Sequence, residues 1–254
     1  MQMYWKCKKP GFIFTITVKA STCSMRILLV AATEAEMRPV RESCSLLLES
    51  PHELDYLITG VGVMAATYAL SRSLASRKPD LVIALGIAGA FPGGPAPAEV
   101  VRVDADVLAD LGAGEDQHFR SVTELGLSGA NDFPYSEGML FTVATPQLAG
   151  LQHVGSVRGL TVNHIRTDAE FIKLISAKYS AQIETMEGAA IHYVCLQEQV
   201  PLLHLRAISN MAGERDKTKW VIPEALHHLG ETICHLMHEL NAETTFPADT
   251  NRNV

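Results

Sequence analysis

The sequence has little of what marks several protein classes. Its five cysteines, Cys7, Cys23, Cys44, Cys195 and Cys234, are odd in number and form no C-x-x-C pair. That argues against a disulfide framework and fits reduced thiols in a cytoplasmic protein. No apolar run is long enough to span a bilayer, so no membrane partner is expected. Positive charge is also short: 21 Lys and Arg face 28 Asp and Glu, for a net charge of -7. With no basic stripe, a general affinity for nucleic acid is excluded. The dinucleotide fingerprint G-x-G-x-x-G, the P-loop lysine and H-E-x-x-H are missing too.

What is present is an ample apolar complement. Hydrophobic residues make up 47% of the 254 and charged residues 19%, enough for a sizeable core. From Met25 onward, apolar runs of strand length alternate with helical periodicity. Strands are expected at 27–32, 54–59, 81–85, 100–108, 159–166 and 202–209, with a strand start at 139–143. Helices are expected at 33–48, 64–76, 171–176, 186–198 and 223–240, the first of them ragged because of Pro39. Asp104 and Asp106 imply one solvated face on the fourth strand. Residues 92–140 are the least regular. The alternation predicts an α/β fold: three αβα layers around a mostly parallel, mixed central sheet, with helices on both faces. Residues 1–24 carry Lys6, Lys8 and Lys9 before a short apolar run broken by threonines. They read as an extension outside the fold rather than an export signal. Residues 25–241 read as one domain and 242–254 as a polar tail.

The sharpest chemical signal is 202–216, LLHLRAISNMAGERD, a buried strand that ends in Ser209-Asn210. Ligand-facing groups in α/β sheets sit at the carboxyl ends of strands. The Asn210 carboxamide offers one acceptor and a two-hydrogen donor, suited to the edge of a heterocycle; the plainer reading is an Asx turn. Thr33 and Glu36, just after the first strand, fit the S/T-x-x-E capping box. A carboxylate there can also face the crevice and act as a base on water. Gly60-Val61-Gly62 and Gly86-Ile87-Ala88-Gly89 each follow a buried strand and let backbone approach a ligand. Glu187 opens a helix, where it either complements the helix dipole or accepts hydrogen bonds from vicinal hydroxyls. His227, His228, His235 and His238 on the last helix have no accompanying carboxylate triad, and no metal site is expected.

In order, the acidic turn after the first strand, TGVG at 59–62, G-x-A-G at 86–89, MEGAA at 186–190 and RAISN at 206–210 resemble the nucleoside phosphorylase and hydrolase superfamily. The likeness spans roughly residues 25–240 and lies on the side of the methylthioadenosine/S-adenosylhomocysteine nucleosidases. Within it, NHIRTD, ETMEGAA and SNMAGERDKTKW most resemble the futalosine hydrolases, which remove hypoxanthine from futalosine in the menaquinone pathway. The resemblance implies that Glu36 is the base for the attacking water, whereas Glu34 falls on an acidic position that is not the base. It implies a backbone wall at Ile87, Ala88 and Gly89, purine contacts from Phe171 and Ile172, Met186 beside the ribose, and Glu187 on its hydroxyls. Arg206 supports the site from its strand.

Asn210 stands where adenine-releasing nucleosidases carry an aspartate. An aspartic acid donates to N7 and accepts from an exocyclic amine. An asparagine can donate to a 6-oxo group and accept from a protonated N7, as hypoxanthine or guanine requires. A mismatch leaves buried polar groups unsatisfied, at ~1–3 kcal/mol each. The related phosphorylases hold phosphate with an arginine just before the second glycine turn, where this sequence has Ala84. Water is therefore the expected nucleophile. No metal or organic cofactor is implied; the partners implied are a small-molecule nucleoside, water and further copies of the chain in a homodimer or larger homo-oligomer. The alternatives are an adenine-releasing nucleosidase, a purine nucleoside phosphorylase, and a nucleoside-binding protein on the same fold.

Overall fold

The computed structural model describes residues 2–4, 17–19, 24–45, 50–142 and 145–244. Its main sheet has nine strands: β1 (Arg26–Ala31), β2 (Glu53–Ile58), β3 (Leu81–Ala84), β4 (Ile87–Ala90), β5 (Val100–Asp106), β6 (Leu140–Phe141), β7 (Gly155–Thr161), β8 (Ile183–Thr185) and β9 (Leu202–Met211). The helices are α1 (Glu34–Ser45), α2 (Val63–Ser76), α3 (Ala169–Tyr179), α4 (Gly188–Gln197) and α5 (Ile222–Thr244). The strand order is β6-β5-β7-β8-β4-β9-β3-β1-β2. The sheet is mixed, with antiparallel pairs at β5–β6, β4–β8 and β5–β9.

Strand alternation explains the layers. Ile27, Leu29 and Ala31 of β1 point to one face and pack with Met37 and Val40 of α1 and Leu229, Ile233 and Met237 of α5. Leu28 and Val30 point to the other and pack with Leu70 and Leu74 of α2 and Ile191, Val194 and Cys195 of α4. Both faces of β1 are thus buried, which is why it reads as a continuous apolar run. Pro39 sits inside α1 rather than at its edge; the helix forgoes one backbone bond there and is held by packing.

One feature goes beyond an open sheet. β9 pairs with β4 on one edge and, through Leu205–Ala207, antiparallel with β5 on the other. Pairings β4–β9–β5–β7–β8–β4 therefore close into a ring. Its strands contribute Ala88, Ala90, Val101, Val103, Val157, Ile183 and Ile208 to one buried cluster. The expected turn at 86–90 is only Leu85-Gly86: the chain breaks there and resumes as β4 in the ring.

Asp106 corrects the expectation of a solvated face, for it is fully buried. It lies at the carboxyl end of β5, beneath the N-terminus of α4. Its Oδ1 accepts from Thr161 Oγ1 at 2.7 Å and from the Val107 amide at 2.8 Å. Thr161 Oγ1 in turn accepts from the Ala189 amide at 2.7 Å, and Thr185 Oγ1 from the Gly188 amide at 3.1 Å. Two threonines thus satisfy the first amides of α4. Residues 107–138, in the least regular segment, hold only a small hairpin, Gly112–Ala113 with Arg120–Ser121, and a 3-10 turn. Of the expected N-terminal extension, Gln2–Tyr4 pairs with Thr17–Lys19 in a separate two-stranded sheet. The rest of that extension up to residue 23, and residues 245–254 of the expected tail, lie outside the described residues.

Burial raises the Asp106 carboxyl to about 7. The fold therefore holds a proton that the unfolded chain releases, so stability falls as pH rises from the ordinary carboxylate range to about 7. Asp106→Asn keeps an acceptor for Thr161 and Val107 but cannot ionise. Its melting temperature should drop less between pH 5 and pH 8 than that of the unmodified protein. Equal drops in the two proteins would show that Asp106 does not titrate this way.

Candidate active site

A cavity of about 310 Å3 opens at the carboxyl ends of β1, β8 and β9 and along the first residues of β4, a size within the range of small-molecule sites. Thr33, Glu36, Ile87, Ala88, Gly89, Met186, Glu187 and Asn210 all line it. Segments far apart in sequence converge there because each follows or ends a strand of one sheet.

Glu36 is both cap and site residue. Its Oε2 accepts from the Thr33 amide at 3.0 Å and the Thr33 hydroxyl at 2.8 Å, while Thr33 Oγ1 accepts from the Glu36 amide at 3.3 Å. That is a complete capping box. The other oxygen, Oε1, leaves the helix and accepts from the Ile87 amide at 3.1 Å. The carboxylate is therefore fixed across the mouth of β4, buried and with lone pairs to spare. Glu34, two residues earlier, points outward and pairs with Arg41 at 2.6 Å.

Glu187 precedes α4 but does not cap it; the threonines do that. Its Oε1 accepts from the Gly62 amide at 2.9 Å, and Gly62 has a φ of 93°, a backbone that favours glycine. Its Oε2 faces Arg206 Nη2 at 3.9 Å, an electrostatic contact longer than a hydrogen bond. Arg206 is 1% exposed. Its Nη1 donates to Ile87 O at 3.4 Å and its Nε to His204 Nε2 at 2.7 Å. A Cβ on Gly86 would collide with Arg206 Nη1 and lie 2.6 Å from Glu36 Oε1. Gly86 is the gap through which these groups approach.

Asn210 is aimed by a bulge. β9 and β4 pair Ile208 with Ala88 and then Asn210 with Gly89, leaving Ser209 as the extra residue. Such bulges re-aim side chains next to active sites. The buried Ser209 hydroxyl donates to Asn210 Oδ1 at 2.7 Å and is shared with Ala88 O at 3.2 Å. Asn210 Nδ2 donates to Met211 O at 2.9 Å. The carboxamide so held keeps one N–H and one lone pair for a ligand.

Three expected residues, Arg206, Phe171 and Ile172, are not on the cavity wall. Phe171 and Ile172 lie in the first turn of α3 and pack with Phe91, Ala105 and Leu160. Ile172 stands behind Gly213, where an added Cβ would lie 2.6 Å from its Cδ1. Ile165 lines the cavity instead, and α3 is capped by Asp168, whose side chain accepts from the Phe171 amide. Sequence reasoning placed Ser209 at the strand end without giving it a role, and missed Glu184, whose carboxyl burial raises to about 7 while Arg215 pulls it down. It also missed His192 and His204. The signal for the latter was His204 and Arg206 two apart in an apolar strand, which puts both on one face.

Carboxylates gathered on a cavity of about 310 Å3 in an α/β sheet suit small-molecule chemistry. A family model, the phosphorylase superfamily, matches residues 56–240. The chain is 35% identical to a futalosine hydrolase of Thermus thermophilus, with 72% of this chain and 81% of that protein covered. It is 28% identical to a 5'-methylthioadenosine/S-adenosylhomocysteine nucleosidase of Tolumonas auensis, covering 74% and 87%. Its fold matches the crystal structure of the corresponding Helicobacter pylori nucleosidase with butyl-thio-DADMe-Immucillin-A, at a TM-score of 0.70 and 16% identity over 85% of this chain and 99% of that one. The chain belongs to the phosphorylase superfamily, and within it to the N-glycosidic hydrolases. Among the described residues no helix is long and apolar enough to cross a membrane.

Gly86→Ala tests the close approach at the break between β3 and β4. The added methyl must push Arg206 or Glu36 aside, which should cost ~1–3 kcal/mol of stability by overpacking and lower kcat/KM. Denaturant unfolding and steady-state kinetics on one preparation check both. Unchanged stability and turnover would mean that the two side chains do not close over this glycine.

Proposed function

We propose that this protein hydrolyses the N-glycosidic bond of a 6-oxopurine nucleoside, foremost futalosine, releasing hypoxanthine as a cytoplasmic step of menaquinone biosynthesis. The observation that carries the reading is the arrangement of three groups on one cavity: Glu36, Glu187 and the Asn210 carboxamide. Glu36 is tethered through both oxygens yet open to the cavity, so it takes the proton of the attacking water. Glu187, spared from capping α4, accepts hydrogen bonds from the ribose hydroxyls. Asn210 donates its remaining N–H to the 6-oxo group, and its oxygen accepts from N7 once solvent water has protonated the departing base. The sugar passes through an oxocarbenium-like state, flanked by the two carboxylates that stabilise its charge.

Hydrolysis is favoured over phosphorolysis by the surroundings. Ala84 is buried in β3, where a phosphate-holding arginine is expected in the phosphorylases. Arg206, the buried cation nearest Glu187, is already engaged. A homo-oligomer is supported by exposed Met64 and Tyr68 on α2, next to Val61, which lines the cavity.

The direct test is incubation with futalosine, with and without inorganic phosphate. Hypoxanthine should appear at the same rate in both; no release, or release only with phosphate, overturns the reading. Glu36→Gln should fold and bind yet lose turnover by ~10²–10⁴, the usual worth of a general base. Near-full turnover would leave Glu36 as a helix cap alone.

Asn210→Asp should shift the base preference from hypoxanthine toward adenine. A carboxamide cannot pass a proton to N7, whereas an aspartic acid can, but the acid has no second hydrogen for a 6-oxo group. A loss of ~1–3 kcal/mol corresponds to about five- to two-hundredfold in kcat/KM on the 6-oxo substrate. The readout is the ratio of kcat/KM for paired 6-oxo and 6-amino nucleosides in both proteins. An unchanged ratio removes Asn210 from the purine edge.

A further inference from the structure

Behind the cavity, three buried side chains form a single file. Arg206 Nε donates to His204 Nε2 at 2.7 Å, His204 Nδ1 meets His192 Nε2 at 2.9 Å, and His192 Nδ1 meets the Leu140 carbonyl at 3.0 Å. Both histidines are 0% exposed. The two ends fix every proton in between. Leu140 O can only accept, so His192 carries its hydrogen on Nδ1 and presents a bare Nε2. His204 must then donate from Nδ1, which leaves its own Nε2 bare to accept from Arg206, whose guanidinium can only donate. Both rings are neutral Nδ1–H tautomers. Burial and the neighbouring guanidinium agree with this, holding His192 down at about 4 and His204 well below its ordinary range.

The choice of partner matters. A buried arginine is ordinarily met by a carboxylate in a bidentate pair. Here the Nε edge is held by a neutral ring, so the guanidinium keeps its full charge, and the Nη2 corner is turned to Glu187 Oε2 at 3.9 Å. The ring fixes orientation without cancelling the field at Glu187.

We propose that His204 and His192 are positioning residues for the reaction: through Arg206 they set the orientation of Glu187 that receives the sugar hydroxyls. This rests on the nucleosidase reading of the same cavity. Neither histidine touches the cavity, and the side-chain file that links them to Glu187 runs through the guanidinium.

The test pairs His204→Leu and His204→Gln with futalosine, as the ribonucleoside, and its 2′,3′-dideoxy analogue. Leucine removes the acceptor at Nε2; the glutamine carbonyl restores one at nearly the same reach. On the ribonucleoside, His204→Leu should lower kcat/KM by about ten- to hundredfold, with His204→Gln recovering most of it. On the dideoxynucleoside, which offers Glu187 nothing to hold, the leucine penalty should shrink to within about threefold. His192→Leu should follow the same pattern, and melting curves on each variant establish that the folded protein is being measured. An equal penalty on both sugars, or no rescue by glutamine, overturns the proposal while leaving the nucleosidase reading intact. If the unmodified protein neither cleaves nor binds the ribonucleoside, that reading fails and the proposal with it.

Discussion

A single buried positive charge governs this site. Arg206 lies almost wholly out of water on the strand that borders both halves of the sheet. A permanent charge in such a place is tolerated only with paired or hydrogen-bonded surroundings. The fold supplies them from four directions: Glu187 from the turn before α4, Ile87 O from β4, His204 from β9 itself, and the open space left by Gly86. Two of them, Glu187 and Ile87, also line the cavity. Ile87 offers its carbonyl to Arg206 and its amide to Glu36. One peptide segment therefore registers the water-activating carboxylate against the sugar-binding one.

The ring of strands explains why this registration is rigid. β4 is held by β9 on one side and β8 on the other, and β8 leads directly into Met186 and Glu187. With an apolar cluster filling the ring, none of these strand ends moves alone. The extra residue in β9 then turns Asn210 toward the cavity while its neighbour Ser209 stays buried and braces the carboxamide. Precision at the strand ends is a property of the closed pairing more than of the loops.

Much of this was legible in the sequence, and the gaps have physical causes. The strands that pack on both faces, such as β1 and β3, announce themselves as unbroken apolar runs. Glu36, Glu187 and Asn210 stood at strand ends or helix starts, so their place in the crevice followed from the fold class. β8, three residues long, is too short to show a period. Asp106 was read as solvated because alternation cannot foresee that α4 begins above it. The segment at 86–90 looked like a glycine turn, since nothing local reveals that β4 finds partners in β8 and β9. Phe171 and Ile172 rest on resemblance alone; Ile172 is buried in a neighbouring apolar cluster and Phe171 lies half-buried against it. The histidine pair was hidden for the same reason as the ring closure. His192 and His204 are 12 residues apart, and only the packing of α4 on β9 brings them together.

The account stands on water, activated at Glu36, attacking the anomeric carbon. The most direct measurement is product analysis by mass spectrometry after turnover of futalosine in 18O-labelled water containing phosphate. The account predicts free hypoxanthine and a sugar carrying one 18O at the anomeric position, with no sugar 1-phosphate. Formation of the sugar phosphate, or a sugar product without the label, would contradict it.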